Sequence, residues 1–206
     1  MKNAKKIVMG GVAALALVTA SVMGTMAYFT SKTETVNNTF TVGNVNITLD
    51  ETKTDALGNK VNPEVKVTSN EYNLLPGKDY TKDPTVHVAK NSEDCYLFVT
   101  VKDGIADIEA DPTVATQIVT NGWKEVQTED DGTKVYVYTN GTANPEVIKK
   151  NANVIDKKVF DNFTVKSTES DLSKYANATI TVNGYAIQAV GFEGKTAAEI
   201  WAEASK

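Results

Sequence analysis

The 206 residues hold 26 acidic against 21 basic side chains, a formal charge of −5, and every basic residue is a lysine. Without arginine the chain lacks the bidentate fork that reads phosphate and guanine, and its acidic balance repels a polyanion, which argues against a nucleic-acid partner. One histidine and one cysteine remove most zinc-site, catalytic-triad and disulfide chemistry at the outset.

Lys2, Lys5 and Lys6 precede a charge-free apolar run from Ile7 to Gly24, and Thr25-Met26-Ala27 places small residues three and one positions before a cut. That order is a secretory signal peptide over residues 1–27, cleaved between Ala27 and Tyr28. A retained anchor is the alternative, since the run sits at the lower edge of spanning length. The glycines at 10, 11 and 24 favour cleavage, so membrane contact is expected only through the signal peptide before processing. Losing three lysines makes the mature chain more acidic still. Residues 28–206 are enough for a single domain with one substantial core.

Tyr28 to Asn38 is polar and Thr/Asn-rich, and is expected to be a flexible segment. A first strand is predicted from Val36 to Leu49. Its apolar face is Phe40 and Val42, then Val45, Ile47 and Leu49, with the parity changing across Gly43-Asn44 as a bulge would do. Asp55 to Asn59 reads as a turn and Val61 to Thr68 as a strand. Leu75-Pro76-Gly77-Lys78 has Pro and Gly where a type II turn wants them. It leads into a strand from Thr85 to Ala89 that carries His87 on the face opposite Val86 and Val88.

Cys95 to Val101 is the most apolar strand, with Cys95, Leu97, Val99 and Val101 on one face; a buried, inert thiol is the simplest reading of Cys95. Trp123 to Val126 and Lys134 to Thr139 flank the acidic tip Glu129-Asp130-Asp131-Gly132. Phe160 to Lys166 and Ala178 to Val190 supply the last strands, with Asn183-Gly184 either a hairpin turn or, more in keeping with the flanks, a bulge. Short helices are predicted over Asn144 to Ile155 and Ser170 to Ala176. A clearer one starts at Thr196, where Glu199 completes a capping box and Ile200 and Trp201 would dock it. Many short strands with turn punctuation predict a mainly β fold, an antiparallel sandwich of jelly-roll type with a few short helices.

Chemistry is scarce. No catalytic residue or cofactor is assigned, and the chain is not expected to be an enzyme. The sharpest metal candidate is Asp103, Asp107, Glu109 and Asp111, a loop rich in the oxygens calcium takes but lacking the acid and glycine spacing of an EF-hand. A solvated acidic loop fits better. The C-terminal residues Ala204-Ser205-Lys206 carry no sortase motif, so wall attachment by that route is not expected.

Gly24-Thr25-Met26-Ala27-Tyr28-Phe29-Thr30, followed by Asn38-Thr39-Phe40-Thr41-Val42-Gly43, resembles the start of the TasA/camelysin family. Leu75-Pro76-Gly77-Lys78-Asp79 is similar to that family's Leu-x-Pro-Gly-Asp turn with Lys78 inserted, and Tyr185 to Val190 to its last core strand. The resemblance covers roughly 28–101 and 178–201 and is weak between. It implies a jelly-roll subunit, processed by a signal peptidase of the SipW type, secreted from a Gram-positive-type bacterium and assembled into biofilm-matrix fibres. Some relatives carry a metallopeptidase label, for which His87 alone offers no site. The expected partner is a second copy of the chain, engaged by N-terminal strand donation with Phe40, Val42, Val45, Ile47 and Leu49 as the assembly strand. A monomeric surface adhesin or binding module is the alternative, and a secreted metalloprotease the remoter one.

Overall fold

A computed structural model describes residues 30–33 and 45–204. The chain is mainly β, and each pairing between its strands is antiparallel. In chain order the strands are β1 (Thr30–Thr33), β2 (Ile47–Thr52), β3 (Lys66–Val67), β4 (Asp79–Thr81), β5 (Thr85–Val88) and β6 (Cys95–Asp103). Helix α1 (Val114–Thr120) comes next, then β7 (Trp123–Thr128), β8 (Lys134–Tyr138), β9 (Ile155–Lys158), β10 (Asn162–Thr164), β11 (Ile180–Gln188) and helix α2 (Ala197–Ala204). Five strands form one sheet in the order β1-β11-β6-β8-β7, four form a second in the order β3-β2-β5-β9, and β10 pairs with β4.

Strand β6 shows why the layers stack as they do. Its odd residues, Cys95, Leu97, Val99 and Val101, join a core that includes Val45, Ile47, Val86 and Val88 from around the second sheet. Its even residues Tyr96 and Phe98 join a second cluster with Val135, Val137, Ile187, Phe192, Ile200 and Trp201. Both faces are therefore apolar, which is why the segment reads as a continuous hydrophobic run and not as a clean alternation. The α2 helix covers the outer face, with Trp201 set edge-on to Tyr185 (4.9 Å, 89°) and tilted over Phe98 (5.5 Å). Its capping box forms: the Thr196 N–H donates to Glu199 Oε2 at 2.7 Å and the Glu199 N–H to Thr196 Oγ1 at 3.3 Å.

Several expectations are corrected. Residues 180–188 run as one strand in unbroken register with β6, Asn183 opposite Thr100 and Gly184 opposite Val99, so Asn183-Gly184 is neither a turn nor a bulge. No helix forms over 144–155. Ile148 is instead drawn into a two-hydrogen-bond bridge with Cys95 (2.8 and 3.0 Å), and Ile155 opens β9. The strand expected over 61–68 shrinks to Lys66–Val67, since Pro63 has no N–H to give a ladder. The Pro76-Gly77 turn is present, with Gly77 at φ +72° and the Lys78 N–H donating to Leu75 O at 3.2 Å. Asp131 at the 129–132 tip pairs with Lys102 at 2.8 Å.

Candidate functional site: the β1 edge

The signal-cleavage residues Ala27 and Tyr28, and Phe40 and Val42 of the expected assembly strand, lie outside the described residues. The remaining three assembly residues are placed within their own chain. Ile47 stands opposite Val88 and Leu49 opposite Val86, and β2 is flanked by β3 on one side and β5 on the other. Val45 and Ile47 are buried in the main core and Leu49 packs against it. β5 pairs with β2 over Ile47–Asp50 and β3 over Glu51–Thr52, and the strand is buried at its start, so β2 is built into its own domain.

The segment before it differs. Thr30–Thr33, within the stretch expected to be flexible, forms strand β1, which among the described residues is the outermost strand of the five-stranded sheet and pairs with β11. The register sets Thr30 opposite Ile187, Ser31 opposite Ala186, Lys32 opposite Tyr185 and Thr33 opposite Gly184. Behind it, β11 is fixed along its whole length to β6, and Ala186 and Ile187 are fully buried. A rigid acceptor edge thus holds a short, polar strand. Each ladder hydrogen bond contributes about 1 kcal/mol net, and ordering each residue costs about 1–2 kcal/mol of backbone entropy. Pairing over so short a strand is therefore close to balanced.

The acidic-loop side chains are engaged one by one in local hydrogen bonds or lie exposed. Asp103 Oδ1 accepts the Ile105 N–H at 2.9 Å in a local turn, and Glu109 Oε2 accepts the Val114 N–H at 2.8 Å at the start of α1. Asp107 and Asp111 are exposed. Among the described residues no group of three or more His, Cys, Asp or Glu side chains is gathered as a metal would require. Glu109 is buried, 3% exposed, with Oε1 unpartnered. Burial first, and the Asp103 charge second, push its carboxyl up to about 7. Burial likewise raises Asp103.

His87 lies on the outer face of the second sheet, as its alternation with Val86 and Val88 requires. Its polar neighbours come from two flanking strands and carry no signal in the sequence. Nδ1 is 2.7 Å from Asp156 Oδ1 on β9, and Nε2 is 3.1 Å from Asp50 Oδ1 on β2. Burial pulls the imidazole pKa down, but the two carboxylates outweigh it and hold the ring above its ordinary value. The arrangement is an electrostatic clamp across β2, β5 and β9. Cys95 is fully buried and its thiol is pushed up to about 12 by burial, so it is a packing residue.

Comparison of the chain with protein-family models, with characterised proteins and with solved structures found no match.

Proposed function

We propose that this chain is a secreted structural subunit of extracellular-matrix or cell-surface fibres, of the TasA/camelysin kind, built as a jelly-roll-type sandwich. The observation that carries the reading is the edge position of β1, four residues paired to a rigid β11 and not to the sheet that holds β2. In the fibre, β1 of one subunit occupies the β11 edge of the next. The contact joins two different surfaces and does not close on itself, so repetition extends it into a filament. The donated piece in this reading is the segment ending at Thr33 and not β2. The basic and apolar N-terminal segment supports export, and a SipW-type signal peptidase cutting after Ala27 would release the donor at the surface.

The test is to purify the chain beginning at Tyr28 and image it by negative stain beside a chain beginning after Thr33. Filaments from the first and monomers from the second are expected. A first chain that stays monomeric in every salt and pH condition, or a second that polymerises equally well, would remove the reading.

A further inference from the structure

Beside the end of β2 lies a second cluster of polar side chains, unrelated to the β1 edge. Glu51 is 3% exposed and its carboxylate is shared by two nitrogens: Lys82 Nζ at 2.7 Å from Oε2 and Asn70 Nδ2 at 3.0 Å from Oε1. The ion pair is shielded, with the Lys82 and Glu51 side chains 11% and 4% exposed. Asn70 is held at both ends of its amide: Oδ1 accepts the Thr54 N–H at 2.8 Å, and Nδ2 also donates to Thr52 O at 2.9 Å. Tyr72 lies over the cluster, packed edge-on against Tyr80 and Phe163, and its phenol is raised by burial and then by the Glu51 charge. A buried ion pair is poor stabilisation for its desolvation cost, and a carboxamide fixed on the same carboxylate suggests another use.

We propose that Lys82 and Asn70 form an intramolecular isopeptide bond with Glu51 as the proton carrier. A proton passes from Lys82 Nζ to Glu51 Oε2 along the 2.7 Å contact, leaving an amine and a carboxylic acid. The amine lone pair attacks Asn70 Cγ and the carbonyl π pair moves onto Oδ1, where the Thr54 N–H stabilises the developing charge, as a backbone donor does in an oxyanion hole. Glu51, already in contact with Nδ2 through Oε1, delivers that proton to it, the carbonyl re-forms as ammonia leaves, and the departing ammonia takes the surplus proton from Nζ. The Nζ–Cγ bond forms and the Cγ–Nδ2 bond breaks. Overall an ammonium side chain and a carboxamide become a secondary amide and an ammonium ion, with Glu51 returned as carboxylate. No oxidant, metal or cofactor enters the balance. Lys66 is not the nucleophile: its Nζ contacts Thr52 Oγ1 at 2.9 Å, and its side chain is 47% exposed.

The experiment is mass spectrometry of the folded full chain. Its denatured mass should fall short of the sequence mass by one ammonia, and proteolysis should yield a branched peptide joining Lys82 to Asn70. Glu51→Gln and Lys82→Arg should each restore the sequence mass, and Lys66→Arg should leave the deficit in place. A full sequence mass for the folded wild-type chain after prolonged incubation overturns the proposal. So does a deficit that survives Lys82→Arg, because Asn70 has then cyclised on its own backbone.

Discussion

Replacing Glu109 by glutamine isolates a carboxyl that burial raises far above its ordinary range. A glutamate that ordinarily titrates at 4.5 is raised to about 7 by burial beneath the start of α1 and by the nearby Asp103 charge. The folded chain therefore binds this proton more tightly than the unfolded chain. The stability it confers is fully present below about pH 4.5 and is lost as pH rises through about 7. The gap between the two values corresponds to about 3 kcal/mol. The substituted amide would keep an oxygen to accept the Val114 N–H but cannot ionise. Urea unfolding of both proteins from about pH 4.5 to about pH 8 should show the wild type losing about 3 kcal/mol more than Glu109→Gln across that range. Asp103 and His87, both raised, also cost stability as pH rises, but they are common to the two proteins and cancel in the difference. Parallel curves would refute the reasoning and place the Glu109 carboxyl in water.

Trp201→Ala should cost about 3–5 kcal/mol by chemical denaturation, because the indole is 6% exposed between Phe98 and Tyr185. His87→Gln should destabilise the chain more at about pH 5.5 than at about pH 8. The raised imidazole pKa means that the Asp50 and Asp156 clamp acts in full below the ordinary histidine value and fades above the folded one. Gly58→Ala should lower stability by about 1–3 kcal/mol in thermal unfolding, since Gly58 sits at φ +77° with a Cβ position only 2.7 Å from Tyr80 Cα.

What is legible in the sequence follows from how local the determining interactions are. The β6 strand, the Pro76-Gly77 turn, the 129–132 tip and the Thr196 capping box can be read because each depends on neighbours within a few residues. Helix α1 is harder, although Thr113 caps it by accepting the Thr116 N–H and Val114, Gln117 and Ile118 form its buried stripe. Its Val and Thr residues read as strand, and only the Thr113 cap after Pro112 points the other way. Strand β9 is Ile155-Asp-Lys-Lys158, with no apolar alternation; it is a strand because β5 offers it an edge. The candidate site shows the same division. The polar N-terminal segment stands out by composition, but which part of it lies on an edge is a matter of sheet order. Likewise Glu51 is separated from Asn70 by 19 positions and from Lys82 by 31, and no spacing rule in the sequence joins them.

Pairing of β1 from one chain with β11 of another is most directly tested by a cysteine trap. Lys32 and Tyr185 stand directly opposite each other in the register, where paired residues are close enough for a disulfide to form. Chains carrying Lys32→Cys are mixed with isotopically labelled chains carrying Tyr185→Cys, allowed to assemble, and oxidised. Strand donation predicts disulfides that join position 32 of unlabelled chains to position 185 of labelled ones, in yield that follows filament content. Filaments that form without any such linkage, while a single chain carrying both substitutions closes its own disulfide quantitatively, would contradict it.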